Sequence, residues 1–564
     1  MAKNLPTSMP SPSSPTWQNW SGNIVHKPAT DGLGYYFFPT TLAELKSVLA
    51  QAAKTPGATL RVSGQRHSQP PLVIDDNRSA VPQTTHAYLV DMSCYADLGP
   101  AQDQRIMLGP GKDQVIVNTG VCEDELDAFL TQNKFMLKTV TAGGFFSLGG
   151  MTAVDVHGAT MGEPIFAETV SSFNILLADG TVMTINEQSP KVDDWSPLQF
   201  ARVSLGGLGI VTSLTIEVQP RPHATTLQGG CEWYGIKDKE AFITHFPKVL
   251  SSHDRLETFF TPYATADVDT LLHTKNFLAL WWNVVSNPSP KSRNQASNPY
   301  PKSACEHANQ TPPQYGAPDL GEFLEHPAEV LAIGAQKAPS PGNTILGAWE
   351  DGAFFNPAVI AALALKVIEK QAGAANAKHS ELWLADAARV IFMSYYVPIP
   401  DLEAAGLAIV WDGLDVVSKI VLQDDNFHIA APMEFRFVRG GDSAMSGTYS
   451  DKPDQWFVNL DLIGFADASL QASDYPPLLL KFFADVERAW VEMGGIPHNG
   501  KIYGFYDPTD LPGTYSTNGP FNPNFLAALR VRRGGRLKAF SDYRKQLDPN
   551  GLFYNDFLRK LLED

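Results

Sequence analysis

The sequence predicts a two-domain protein that mixes helices and strands, and three observations support this prediction. Its 564 residues exceed what one ordinary hydrophobic core holds. Helical and strand-like patterns of apolar residues both occur along the chain. Three glycine-rich segments, each flanked by strand-like sequence, lie within the first 210 residues. They suggest that backbone groups hold one extended ligand.

Composition narrows the range of partners. The chain carries a formal net charge of -17, and an acidic surface repels both phosphodiesters and anionic membranes. No run of about 18 apolar residues occurs, so no transmembrane helix is expected. The Pro- and Ser-rich N-terminus has no apolar core of the kind found in signal peptides. We therefore expect a cytoplasmic protein with no nucleic-acid partner and no integral membrane association.

The cysteines are far apart in the sequence and form no C-x-x-C pair. They are Cys94, Cys122, Cys231 and Cys305. This spacing favours buried free thiols over a zinc site or a disulfide framework. We therefore expect no metal site.

The first glycine segment is a turn that follows a short strand. Residues 59–63 have the strand pattern, Gly64 follows at once, and the polar turn after it contains His67. Several backbone N–H groups of such a turn point the same way, which suits a phosphate. Pro70 and Pro71 disfavour the helix that a G-x-G-x-x-G dinucleotide unit needs at this point. A Rossmann site is therefore rejected here.

The second and third glycine segments lie further along the same region. The second, residues 141–160, has five glycines among small residues and contains Ser147 and His157. The third, residues 203–218, has three glycines ahead of a β-rich run. Small residues let a backbone approach a ligand closely. Both segments therefore extend the ligand site that the first one suggests.

Patterns of apolar residues predict the remaining elements. A capping box of Thr41 and Glu44 starts the first predicted helix, and Gly57 ends it. Residues 287–342 are rich in Pro, Ser, Asn and Gln, which predicts a long surface excursion. The other predicted helices cover 121–133, 357–373, 477–493 and parts of 540–562, and the predicted strands cover 86–93, 114–119, 389–397 and 427–439, with a hairpin over 170–185.

The sharpest polar pattern is Glu434-Phe435-Arg436, inside a predicted strand. Strand alternation puts Glu434 and Arg436 on one face and Phe435 on the other. The flanking residues are mostly apolar, which predicts burial, and a buried acid and base normally need each other. The alternative is a solvated surface pair of the common, weak kind. Glu257 lies elsewhere, in the segment RLETFF, and we expect it to be a structural carboxylate.

These motifs resemble those of the vanillyl-alcohol-oxidase-type (PCMH-type) FAD-linked oxidase family. RVSGQRHS, GGMTAVDVHGAT and GGLGIVTSLTIEV resemble its three FAD segments, in the family's order. PMEFRFV, IPHNGK and LDPNGLFYNDFLRKLL resemble the ends of the sugar-lactone and alditol oxidases. In the middle of the chain, DRLETFFTPY, PKSRNQASNPYPKS and ELWLADAARVIFMSYYVP resemble the covalent-FAD (type II) cholesterol oxidases.

The resemblance implies an α+β fold of two domains. A flexible N-terminal arm, residues 1–20, would precede a PCMH-type FAD-binding domain over 21–218. A substrate-binding domain built on a large antiparallel sheet would cover 219–504. Residues 505–564 would return to the FAD domain.

The resemblance also implies FAD, attached covalently through His67. The alternative for His67 is a turn histidine that only hydrogen-bonds a phosphate. For His157 we expect a structural role, in which its ring packs under the flavin domain. The residues that the resemblance assigns to FAD are Ser63, Gly64, Gln65, Arg66, His67, Ser68, Gly149, Gly150, Thr152, His157, Gly158, Gly209 and Ile210.

The implied activity is removal of hydride from a CH–OH group of a polar alcohol (an alditol, sugar or aldonolactone). Electrons would pass to O2 and give hydrogen peroxide. Glu434, Arg436 and Lys501 would be catalytic, and Lys501 would also stabilise negative charge on the flavin. Ser147 and His498 would contact substrate, although Ser147 could instead only cap a turn. A sterol-type oxidase, a flavoprotein dehydrogenase with another acceptor and a flavin-binding protein of little activity are the alternatives.

Overall fold

The computed structural model describes most of the chain. The described residues are 16–28, 35–78, 87–266, 273–287, 357–376, 380–384, 390–422, 427, 429, 431–452, 454–464, 475, 477–511 and 519–563. Cys305, residues 1–15 of the predicted arm and residues 288–342 of the predicted excursion lie outside them. Within the described residues, no helix is both long and apolar enough to span a membrane.

Strands and helices alternate along the first half of the chain, and the second half has longer helices. The strands are β1 (Trp17–Gln18), β2 (Val25–His26), β3 (Tyr36–Phe37), β4 (Thr59–Ser63), β5 (Ala87–Asp91), β6 (Ile106–Leu108), β7 (Gln114–Asn118), β8 (Phe135–Leu137), β9 (Val170–Leu176), β10 (Val182–Asn186), β11 (Ile210–Pro220), β12 (Leu227–Ile236), β13 (Arg255–Ala266), β14 (His273–Val284), β15 (Ile391–Ile399), β16 (Met433–Arg439), β17 (Trp456–Gly464) and β18 (Ile496–Pro497). The helices are α1 (Leu42–Lys54), α2 (Glu123–Gln132), α3 (Leu148–Ala153), α4 (Pro197–Ala201), α5 (Lys239–Ser252), α6 (Pro357–Asn376), α7 (Ala404–Val421), α8 (Pro477–Glu492), α9 (Pro523–Leu547, interrupted at Gly534) and α10 (Asp556–Leu562).

Three larger sheets organise these elements. A parallel sheet has the order β3-β5-β4, and an antiparallel sheet has the order β10-β9-β11-β7-β6, with β8 paired to β11. The third sheet is antiparallel and seven-stranded, in the order β12-β14-β13-β16-β17-β15-β18. The C-terminal segment packs on the parallel sheet, where the Leu60 N–H donates to the Leu552 carbonyl at 2.8 Å.

Most predicted elements are present within a few residues of their predicted ends. The predicted hairpin is the antiparallel pair β9 and β10. The Thr41 side chain caps α1, but the Glu44 carboxylate accepts from the Thr40 N–H at 2.7 Å rather than from the Thr41 N–H. The Glu44 half of the predicted capping box therefore binds the N–H of the residue before the predicted one.

The predicted flexible arm is wrong for its described residues. β1 pairs with β2, Trp17 is 2% exposed, and its indole N–H donates to the Ser63 hydroxyl at 3.0 Å. Trp20 stacks on the His67 ring, with 5.0 Å between the centroids. Two large aromatic side chains bury enough apolar surface to order this segment, which its Pro- and Ser-rich neighbourhood obscures.

The prediction of buried free thiols is confirmed for Cys122 and wrong for Cys94. Cys122 is a buried free thiol, Cys231 is a free thiol that is only partly buried, and Cys94 is disulfide-bonded. Sequence separation carries no information on distance in the folded chain, so spacing alone could not reveal this pairing.

Candidate active site

All three glycine segments line one cavity of about 300 Å³. Side chains of β16 and β17 and of the turn after β18 line the same cavity. The structure thus brings together nearly every residue that the sequence assigned to a site. Those that line it are Ser63, Gly64, Gln65, Arg66, His67, Ser68, Ser147, Gly149, Gly150, Thr152, His157, Gly209, Ile210, Glu434, Arg436, His498 and Lys501.

Gly158 is the one assigned residue that does not line the cavity. A Cβ atom at this position would lie 2.1 Å from the Val140 carbonyl oxygen and 2.4 Å from the Thr139 hydroxyl. Gly158 therefore allows close packing behind the second glycine segment. Gly64 has a similar role at the cavity, because a Cβ there would lie 2.4 Å from the Ser147 hydroxyl.

Buried Arg61 joins the first and third glycine segments. Its guanidinium donates to the carbonyls of Leu72 (3.0 and 2.5 Å), Leu205 (2.6 Å), Gly206 (2.7 Å) and Phe553 (2.6 Å). These bonds use all five donors of the side chain. Burial lowers the pKa of Arg61 to about 10, so it stays charged at neutral pH. One side chain thus fixes the distance between two loops and the C-terminal segment.

The His67 ring is held between aromatic side chains. Trp20 and Phe145 stack on it at 5.0 Å, and Phe146 meets it edge-on at 4.7 Å. Burial, with a smaller contribution from the charge of Lys501, lowers the pKa of His67 to about 3. The ring is therefore neutral at neutral pH and fixed in orientation.

Gln69, which the sequence analysis did not single out, joins the first glycine segment to the large sheet. Its side-chain oxygen accepts from the Phe392 N–H at 2.8 Å, and its amide donates to the Val390 carbonyl at 2.6 Å. Its own N–H donates to the Gly500 carbonyl at 3.1 Å. Gln69 is 1% exposed, so these bonds form without competition from water.

Asp155 performs the same task for the second segment. Its carboxylate accepts from the backbone N–H groups of Gly447 (2.9 Å) and Asn499 (2.7 Å) and from the Asn499 side-chain amide (2.6 Å). Arg533 donates to the Asn499 side-chain oxygen at 2.7 Å. Burial raises the pKa of Asp155, and these hydrogen bonds oppose that rise. The loop that carries His498 is thereby fixed against the second glycine segment.

Glu434 and Arg436 lie together on the cavity wall and are buried, as their apolar flanks predict. Arg436 pairs with Glu434 and also donates to the Glu257 carboxylate at 2.8 Å. The Trp383 indole N–H donates to the other oxygen of Glu257 at 2.9 Å. Burial raises the pKa of Glu434, Arg436 opposes the rise, and the neighbouring Glu257 adds to it.

Asp461 lines the cavity beside this pair and was missed in the sequence. It lies directly across from Glu434 in the pairing of β16 with β17, and across from Ser394 in the pairing of β15 with β17. The sequence did hold a signal, because Asn459 and Asp461 alternate within an apolar strand as Glu434 and Arg436 do.

Lys501 and His498 complete the polar end of the cavity. The Lys501 ammonium lies 3.9 Å from the centroid of the Phe392 ring. Burial lowers the pKa of Lys501, and the acids Asp461 and Glu434 oppose this. The Gly500 N–H donates to Nδ1 of His498 at 2.9 Å, which leaves the proton of the neutral ring on Nε2. Burial keeps the pKa of His498 well below its usual value.

Two assigned residues of the second glycine segment remain, Ser147 and His157. Ser147 precedes α3, yet its hydroxyl makes no capping hydrogen bond. The His157 ring meets Tyr396 edge-on at 5.6 Å. Burial, then the charge of Arg436, keeps the pKa of His157 well below its usual value. Both histidines beside Tyr396 are therefore neutral.

The cavity fits a flavin adenine dinucleotide. One side offers glycine-rich backbone, which suits a pyrophosphate, and the other offers a buried cation. The buried Ser93 hydroxyl lies on the cavity wall and has no hydrogen-bond partner among the described residues. Such an orphaned group is suited to a polar ligand atom.

Comparisons in sequence point to lactone-oxidising enzymes. A family model for D-arabinono-1,4-lactone oxidase matches residues 403–561, which include the charged cluster. L-gulonolactone oxidase of Mus musculus is 25% identical over 207 residues, 37% of this chain and 41% of that protein. L-gulono-1,4-lactone dehydrogenase of Mycobacterium tuberculosis is 26% identical over 261 residues, 46% of this chain and 52% of that protein. The chain spans about half the length of these curated relatives.

Comparisons of structure cover the whole chain. A solvent-stable cholesterol oxidase has a TM-score of 0.70 at 16% identity, over 100% of this chain and 99% of that one. The cholesterol oxidase from B. sterolicum has a TM-score of 0.66 at 16% identity, with the same coverage. At this identity the likeness shows the fold, which is the predicted α+β arrangement. In its fold and in its matched sequence, the chain is thus similar to FAD-linked oxidases of the PCMH type, as the sequence motifs predict.

Proposed function

We propose that this protein is an FAD-dependent oxidase acting on a CH–OH group of a polar alcohol, such as an alditol, a sugar or an aldonolactone. The electrons pass to O2 and give hydrogen peroxide. One observation carries the proposal: three glycine segments and a charged cluster of Glu434, Arg436 and Lys501 line a single cavity. The names of the relatives, which are lactone oxidases and dehydrogenases, agree with it.

The chain's own residues divide into two groups in this proposal. The first glycine segment, the second segment and the Gly209-Ile210 turn hold FAD, mostly through backbone groups. Bound FAD supplies the two-electron acceptor that no side chain provides. His67 is the attachment point for a covalent link, because its neutral ring is fixed by Trp20 and Phe145 and receives no hydrogen bond from the described residues.

The charged cluster holds the reacting hydroxyl. Arg436, which is buried, and Lys501, which is partly buried, are cations on the cavity wall, so they orient an oxygen atom and stabilise negative charge that develops on it. Glu434 holds the Arg436 guanidinium in place by its pairing with it. Nε2 of His498 is free to donate to a second oxygen of the substrate, since Nδ1 is occupied.

The number of polar groups at this end favours a polyhydroxylated substrate. Glu434, Arg436, Asp461, His498 and Lys501 all line it, and each loses hydration when a ligand fills the cavity. A substrate with several hydroxyl groups replaces that hydration with hydrogen bonds, whereas an apolar ring system does not. A sterol alcohol stays the second candidate, because the whole fold resembles that of cholesterol oxidases.

The experiment is a substrate screen with flavin-loaded protein. Alditols, aldonolactones and sterols are assayed for peroxide in air, and for reduction of an artificial dye without oxygen. We expect peroxide with an alditol or a lactone, and a fall in kcat of about 10²-fold or more in Glu434→Gln. Asp412→Asn, at an exposed position of α7, is the matched control with unchanged kcat. Dye reduction without peroxide would make the protein a dehydrogenase, and no alcohol oxidation in either assay would overturn the proposal.

A further inference from the structure

Asp461 occupies the centre of the polar wall. In the antiparallel register it faces Ser394 on β15 and Glu434 on β16. Directly opposed residues on neighbouring strands project from the same face, with Cβ atoms about 5 Å apart. Since both Asp461 and Glu434 line the cavity, two carboxyl groups stand side by side where the substrate hydroxyl would lie.

The two carboxyl groups differ in what already binds them. Glu434 is paired with Arg436, and the same guanidinium also binds the Glu257 carboxylate. The Glu434 carboxylate is therefore committed to an ion pair within a set of three charged groups.

One carboxylate oxygen of Asp461 is available to accept a proton. Its Oδ1 is buried and has no hydrogen-bond partner among the described residues. The Ser394 hydroxyl interacts with the carboxylate, and that hydroxyl is itself oriented by the Asn459 side-chain amide, which donates to it at 2.8 Å. An oriented carboxylate with one unused oxygen on a cavity wall is the arrangement that a general base requires.

We propose that Asp461 is the general base, the group that takes the proton of the substrate hydroxyl. The inference rests on the proposed function. The substrate O–H bond breaks and an Asp461 Oδ1–H bond forms, while the C–H bond breaks with both electrons leaving as hydride to the flavin cofactor. The alcohol is oxidised to a carbonyl and the flavin is reduced. Arg436 and Lys501 hold the oxygen as it loses its proton.

The charges around Asp461 suit this role. Burial raises the pKa of Asp461 to about 6, and the neighbouring Glu434 adds to the rise. Lys501, the Ser394 hydroxyl and Arg436 oppose it. Asp461 is therefore ionised at neutral pH yet much more basic than an exposed aspartate, and general-base catalysis is most efficient when the pKa lies near the working pH.

The first test compares three variants of the flavin-loaded protein. Asp461→Asn keeps the size of the side chain and removes the base, so we expect kcat to fall about 10²–10⁴-fold and the acidic limb of the kcat/KM pH profile to disappear. Glu434→Gln is expected to keep that limb, although its kcat is lower. Asp461→Glu restores a carboxylate and is expected to recover part of the rate.

The second test needs no turnover. Because folding raises the pKa of Asp461, ionisation destabilises the folded state above about pH 6. Asp461→Asn removes that cost, so its Tm should exceed the parent's near about pH 8 and the difference should shrink toward about pH 5. A merely structural carboxylate would give a lower Tm in the variant at both pH values.

The outcomes separate the two proposals. If the parent protein oxidises alcohols while Asp461→Asn keeps its kcat and its acidic limb, the role of Asp461 is overturned and the proposed function stands. If the acidic limb is lost in Glu434→Gln instead, Glu434 is the base. If the flavin-loaded parent oxidises no alcohol, both proposals fall.

Discussion

The two sides of the cavity recognise their ligands by opposite means. On one side, glycine-rich loops present backbone groups, and buried side chains such as Arg61 and Asp155 hold those loops without lining the reacting end. On the other side, neighbouring strands present charged side chains directly to the cavity. A backbone site depends on the fold itself, whereas a side-chain site depends on single atoms. Substitutions on the two sides should therefore have different effects on kcat, flavin content and stability.

The sheet side is expected to show the largest effect, because one charge can be removed there without disturbing the backbone. Lys501→Met removes the ammonium that packs on Phe392 at the cavity wall. We expect kcat to fall about 10²–10³-fold, or about 3–4 kcal/mol, with flavin content unchanged. Steady-state kinetics and flavin absorbance measure the two effects separately. Lys419→Met, on the exposed face of α7, serves as the control, and loss of flavin in Lys501→Met would contradict the division.

The glycine side is expected to lose cofactor and stability together. Gly158→Ala places a Cβ atom 2.1 Å from the Val140 carbonyl, so the backbone behind the second segment must shift. We expect the free energy of unfolding to fall by about 1–3 kcal/mol and the flavin content to fall with it. Denaturant titration and flavin absorbance are the measurements. Gly373→Ala, on α6 with open space around it, is the matched control, expected to be neutral or slightly stabilising.

The connection between the two sides is tested by removing the Gln69 side chain. Gln69→Ala removes the side-chain bonds from the first loop to Val390 and Phe392. We expect a loss of about 1–3 kcal/mol, the cost of leaving a buried backbone group unpaired. Flavin fluorescence should also rise at a lower denaturant concentration than global unfolding. Gln51→Ala, on α1, is the control, and a single coincident transition in Gln69→Ala would contradict this coupling.

The same contrast explains which parts of the site the sequence predicts. Glycine clusters are visible as composition, so all three segments can be recognised from the amino-acid sequence alone. The alternation of Glu434 and Arg436 predicts a shared face, because strand period is a local property. Local patterns therefore predict the mixture of helices and strands and most of the cavity wall, whereas the α+β arrangement was implied by the resemblance of the motifs to a known family.

The register between strands that are far apart in the chain could not be predicted from the sequence. Asp461 faces Glu434 only because β17 pairs with β16 in one register, and no local pattern sets that register. Gln69 and Trp20 were missed for a related reason, since their partners lie far along the chain or in a stretch of low predicted order. Their importance comes from contacts between segments rather than from residue type.

The most direct measurement of the central claim is the flavin content of the purified protein and the location of its attachment. We expect one flavin per chain, visible colour that stays with the acid-precipitated protein, and a flavin-bearing peptide that contains His67. A folded protein that is colourless and takes up no flavin would contradict the convergence of the three glycine segments on one cofactor.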